Sequence, residues 1–183
     1  MRAINPVKSF SLVVLALGAV ACGPASQDAS ASTSEELSIP PALAVPAGNK
    51  LDFSLNAVGV QIYQCQATAS GQAWVFQAPK ANLFDDEGEL KATHFAGPTW
   101  QSVDGSSVVG SKIAAVTISA TAIPELLLQA VSHSGSGKMS EVTYIQRLDT
   151  AGGIAPASGC DAAHVGTSAN VNYTAQYFFY RAE

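Results

Sequence analysis

The chain has 183 residues, 48% of them hydrophobic and only 13% charged, with a formal net charge of −5; that is enough apolar material for one domain core. There is no basic field to neutralise phosphates, which sets nucleic acid aside as a partner. The mild acidic excess speaks for solubility and identifies no ligand.

Residues 1–21 read as a secretory signal peptide. Arg2 and Lys8 make a positive start, Phe10 to Val20 an apolar run, and Ala19-Val20-Ala21 a small-residue cleavage site. The run falls short of the ~20 residues that a spanning helix needs. Cys22, directly after it, resembles the cysteine of a bacterial lipobox, which carries lipid and becomes the mature amino terminus. Ala19 stands where such motifs usually have Leu, so a plain cut after Ala21 is the alternative. A lipid on Cys22 would anchor the chain to a membrane by its acyl groups. Gly23 in the next position resembles outer-membrane sorting, with a periplasmic or secreted protein as the other expectation.

Residues 22–46 are built of Ala, Ser and Pro with no aromatic residue, a composition that cannot bury enough surface to fold and reads as a flexible tether. Residues 47–183 read as a single domain. Its segments are short, apolar and β-branched, separated by Gly, Pro, Asn and Asp clusters. "VGVQIYQCQ" alternates Val58, Val60 and Ile62 against Gln61, Tyr63 and Cys65, the period of a strand. "AWVFQAP" follows in the same texture. "LFDDEGELKATHF" reads as two strands around a turn at Asp86-Glu87-Gly88. "HFAGPTWQSVDGS" reads as a strand ending at Phe95, a corner at Ala96-Gly97-Pro98, a strand through Trp100 and a turn at Asp104-Gly105. "VVGSKIAAVTIS", "EVTYIQRL" and "NYTAQYFFYR" are further strands, while "IPELLLQAV" suits a helix or a buried strand. The sum is an all-β fold, one antiparallel sandwich or barrel of about 7–8 strands.

With Cys22 set aside, two cysteines remain, Cys65 and Cys160, in an export route that permits disulfides, and they are expected to pair. In the chain-entropy picture a loop of that size is worth on the order of 4 kcal/mol. No metal or cofactor site is expected. His94, His133 and His164 lie in separate segments without ligand spacing, "DDEGE" lacks the alternating oxygens of a calcium loop, and "SHSGSGKMS" has Ser132 where a phosphate loop needs its first Gly. His94, Asp104 and Ser106 crowd into one stretch, yet no G-x-S-x-G elbow places a hydroxyl for nucleophilic attack. Trp74, Trp100, Tyr63, Tyr144 and Tyr177 fit core positions better than a ligand cleft.

"GVQIYQC", "WVFQAPKANLFD", "HFAGPTWQSVDGS", "AIPELLLQA", "VTYIQRLDTAGGIAP", "GC" and "YTAQYFFYR", in that order, resemble the domain of unknown function 3455 family over about residues 44–181. The resemblance implies export, since exported bacterial and secreted fungal proteins carry this domain, and it carries over no activity. It implies that His94, Gly97, Pro98, Trp100, Asp104, Gln146, Arg147, Cys65 and Cys160 belong to the family pattern, with Glu125 a departure where Trp is expected. The candidate binding residues are therefore His94, Trp100, Asp104, Gln146 and Arg147. The expected function is that of a non-enzymatic cell-envelope lipoprotein whose β domain binds a small ligand, a glycan or a protein. The alternative is a secreted hydrolase or other enzyme using His94 with Asp104 or Arg147.

Overall fold

The computed structural model describes residues 39–183; the expected signal peptide, Cys22 and the segment up to residue 38 lie outside the described residues. Eight strands follow one another: β1 (Asn49–Thr68), β2 (Gly71–Phe84), β3 (Leu90–Phe95), β4 (Thr99–Ser102), β5 (Ser107–Val116), β6 (Glu125–Ser134), β7 (Val142–Gly152) and β8 (Ser168–Ala182). Each pairs antiparallel with the next, and β1 also pairs with β8 from Asn49↔Ala182 to Gln64↔Ser168, so the sheet closes into a barrel. The all-β expectation holds, and of sandwich and barrel it is the barrel. The undecided "IPELLLQAV" supplies β6.

Local chemistry makes the turns. Between β2 and β3, Asp85 Oδ1 accepts the Glu89 amide at 2.8 Å, and Gly88 takes a left-handed φ of 81° that a side chain would resist. The strand faces then sort the residues. Leu55, Ala57, Cys65, Leu83, Ala92, Trp100, Val108, Leu128, Ile145, Tyr173, Ala175, Tyr177 and Phe179 are buried, and their phases put them inside the barrel. In β1 the inward face is that of Gln61, Tyr63 and Cys65, while Val58 is 57% exposed.

The two ends differ. At one end the loop between β6 and β7 plugs the barrel with Met139, which is buried in the main core. Ser106 Oγ accepts the Met139 amide at 3.0 Å, Asp104 Oδ2 accepts the Lys138 amide at 2.8 Å, and Lys138 Nζ reaches Asp52 at 3.1 Å. At the other end sit the connections β1–β2, β3–β4, β5–β6 and β7–β8. There Cys65 and Cys160 form the expected disulfide, with Cα atoms 5.3 Å apart, inside the range a bridge can span.

A second, smaller core lies on the outer surface. Pro41–Leu43 forms a 3-10 turn, and Leu43, 0% exposed, packs with Leu127 and Leu148 on the outward faces of β6 and β7. Gln146 Nε2 donates to the Leu43 carbonyl at 2.6 Å. The stretch expected to be tether through residue 46 therefore enters the folded unit at its end. Its composition hid a single leucine anchor, whose burial is worth about 1.5–3 kcal/mol.

Candidate functional site

Eight strands enclose an interior wide enough to be filled by side chains or to hold one small ligand. Here the plugged end keeps only about 280 Å³ beside Lys138 and Met139, and the disulfide end is the more open. A cavity of about 480 Å³ enters the barrel between the β1–β2 hairpin strands and the β3–β4 and β5–β6 connections. Gln61, Tyr63, His94, Trp100, Arg147 and Tyr177 are among its walls, with Leu126, Leu128, Ile123 and Pro79 as apolar surface and Phe76 and Lys112 toward the solvent. Two local irregularities shape it. A bulge in β2 skips Gln77, so that Phe76 sits opposite Tyr63, their rings 5.8 Å apart and edge-on; bulges at barrel rims re-aim side chains in this way. In β5, a Cβ on Gly110 would lie 3.0 Å from Trp100 Cζ3 and 3.3 Å from Leu128 Cβ, so glycine leaves the indole its room.

The inner wall is an aromatic cluster. The His94 ring lies flat on Trp100 at 4.2 Å, and Tyr177 meets the two edge-on at 5.4 and 5.5 Å, arrangements that ring quadrupoles favour. His94 Nδ1 is 2.9 Å from the Thr99 carbonyl. A carbonyl only accepts, so Nδ1 carries the proton and Nε2 keeps its lone pair. Burial, opposed by the Thr99 bond and joined by the charge of Arg147, pushes the His94 pKa down to about 4, and the ring is neutral at physiological pH.

Arg147 is the cation of this wall. Its Nη2 donates to the Pro124 carbonyl at 2.7 Å, and among the described residues it makes no ion pair. Burial raises the phenol pKa values of Tyr63, Tyr173 and Tyr177, and the Arg147 charge pulls each of them back. One guanidinium thus sets the field of the interior. Three lining residues also keep a buried donor without a partner: Gln61 Nε2, Trp100 Nε1 and Arg147 Nε.

The five candidate residues do not form one site. His94, Trp100 and Arg147 line the cavity. Asp104 sits in the β4–β5 turn past the far end of β4, bound to the plug through the Lys138 amide, and its Oδ1 accepts the Ser106 hydroxyl at 2.6 Å. That bond, with the Lys138 and Ser106 amides, holds its carboxyl at about 2. Gln146 points outward, bonded to Leu43 and to the Tyr180 hydroxyl at 2.8 Å. Gln61 and Lys112 are cavity residues that the sequence reading missed. The signal for Gln61 was its phase, a polar side chain in step with Tyr63 and Cys65; Lys112 carried none. Among the described residues no three of His, Cys, Asp and Glu gather as a metal site requires.

The family described as "Protein of unknown function (DUF3455)" matches residues 46–181. The chain belongs to this family. The DUF3455 match takes in all eight strands up to Arg181 and leaves out the Leu43 strap. No match was found among curated proteins or among solved structures. The family description carries no activity, so function has to be argued from the cavity.

Proposed function

We propose that this DUF3455 chain is a binding protein of the cell envelope, a barrel that takes one small ligand into its disulfide end. The observation that carries the reading is the asymmetry of the interior. The same closed sheet is plugged by Met139 at one end, where only about 280 Å³ is left beside the plug, and leaves about 480 Å³ at the opposite end, within the range of small-molecule sites. The walls mix aromatic and aliphatic surface with a few polar groups, as such sites do. A recess of this size, running from an open mouth into the barrel, favours a small ligand over a glycan chain or a protein surface.

The enzyme alternative finds less support. His94 has no carboxylate behind it, because Asp104 is engaged with the plug, and its Nδ1 is committed to the Thr99 carbonyl. Arg147 shares the cavity but keeps its charge and cannot serve as a base. Export and lipid attachment at Cys22 are part of the proposal and rest on the signal-like residues 1–21 and the cysteine that follows them. Mass measurement of the mature amino terminus tests this: an unmodified terminus after Ala21 overturns the anchor.

For the cavity, the test is a thermal-shift screen of small metabolites against the wild-type protein and Ala115→Trp. Ala115 lies exposed at the mouth, so the indole blocks entry without disturbing the core. Ligands that raise the melting temperature of the wild type are expected to lose that effect in the variant. If every stabilising compound acts on both proteins alike, the cavity is not the site.

A further inference from the structure

We propose that the ligand is a small organic carboxylate with an apolar body, its carboxylate received by Arg147 with the side-chain donors Trp100 and Gln61. The inference rests on the cavity reading above and gives it a chemical class.

The argument is one of sign. Trp100 Nε1 and Arg147 Nε can only donate, and both are buried and unpartnered, as is Gln61 Nε2; the three residues line the cavity from β4, β7 and β1. A buried donor without an acceptor costs about 1–3 kcal/mol, and native interiors satisfy nearly all of theirs. An acceptor that enters the cavity these three residues line would supply the partner they lack. Of the acceptors that could enter, an anion fits best. No Asp or Glu is among the cavity residues, Arg147 has no ion pair among the described residues, and Lys112 adds a second cation at the mouth. A half-buried guanidinium without an ion pair attracts a counter-charge, and its planar fork suits a carboxylate. The remaining surface, Leu126, Leu128, Ile123, Pro79 and Phe76, is apolar and would enclose the body of the molecule. At ~30 Å³ for each water-sized group, the cavity has room for on the order of fifteen of them, the size of one ring with a short acid side chain.

Indole-3-acetate, benzoate and hexanoate, each against its neutral amide, are the probes. Binding is followed by the indole N–H signals in ¹H–¹⁵N NMR spectra of the purified protein. Trp74 Nε1 donates to the Ser158 carbonyl at 2.9 Å and serves as the internal control. At least one acid is expected to move the Trp100 signal and leave that of Trp74 in place. Its amide is expected to bind ten- to a hundredfold more weakly, as loss of a charge-assisted bond implies (about 1.5–3 kcal/mol). Arg147→Gln removes the preference for the acid; Arg147→Lys, which keeps the charge, retains part of it and covers the case in which the first variant does not fold. Gln61→Met weakens acid binding without abolishing it. Amides that bind as tightly as their acids, or acids that leave the Trp100 signal unmoved, overturn the proposal. The two readings fail separately: neutral ligands excluded by Ala115→Trp would leave the cavity standing and remove only the carboxylate.

Discussion

Replacing His94 by Gln tests whether the wall of the cavity is as dry as its packing implies. His94 is 3% exposed, and its pKa is pushed to about 4 chiefly by burial. Above about pH 6.5 folded and unfolded chains both hold the ring neutral, and the residue adds no pH dependence. Between 6.5 and 4 the unfolded chain takes up a proton that the folded one refuses, so stability falls as pH falls. Below 4 both forms are protonated and the loss is complete. The full difference, at about 1.36 kcal/mol per pH unit, is about 3.4 kcal/mol; between about pH 7.5 and 4.5 the linkage relation gives about 2.5 kcal/mol. Urea denaturation of wild type and His94→Gln across that range isolates the effect, because the carboxylates, His133 and His164 are common to both proteins. The wild type is expected to lose about 2.5 kcal/mol more than the variant. Parallel stability curves would refute the reasoning: the ring would then be reached by water or paired with an anion, and its depressed pKa would not exist.

Three further outcomes follow from the packing. Leu43→Ala removes the only fully buried side chain of the outer strap and is expected to lower unfolding stability by about 3 kcal/mol in urea titrations, with the strap's amides exchanging faster than those of β1 and β8. Replacing both Cys65 and Cys160 by Ser should lower stability by on the order of 4 kcal/mol; a change under about 1 kcal/mol would show that the chain-entropy account fails here. Gly110→Ala drives a methyl against Trp100 and Leu128 and is expected to cost about 1–3 kcal/mol, with a change in near-ultraviolet circular dichroism as the His94–Trp100 stack shifts.

Much of the fold could be read locally. Strand texture, the turn at Asp86-Glu87-Gly88, the corner before Trp100 and the pairing of the last two cysteines all depend on chemistry within a few residues or on compartment. Barrel closure does not. It depends on β1 meeting β8 across more than a hundred residues, and no local pattern records that register. The inward face of β1 was also ambiguous, since alternation marks two faces without naming the core. Val58, Val60 and Ile62 look like the core face by hydropathy, and the structure buries Gln61, Tyr63 and Cys65 instead.

The candidate set could have been split by geometry alone. Gln146 and Arg147 are neighbours in one strand, so their side chains leave opposite faces of the sheet and only one can reach the interior. His94 pairs with Trp100 in β4, while Asp104 lies in the turn that follows Ser102 at the far end of that strand, so their side chains serve different ends of the barrel.

That division explains why residues on the outer side of the wall matter to the cavity. Gln146 is 1% exposed and fastens β7 to Leu43 and to Tyr180 on the outside. The next residue, Arg147, pairs with Tyr177 in β8 and with Leu126 in β6 and turns inward with a cation that nothing in the wall neutralises. The strap and its hydrogen bonds hold β7 from behind, while the Pro124 carbonyl holds Arg147 from the side. The outer core is thus the support on which the polarity of the cavity depends, and a strap variant that leaves the barrel folded should loosen Arg147 before it loosens any other part of the wall.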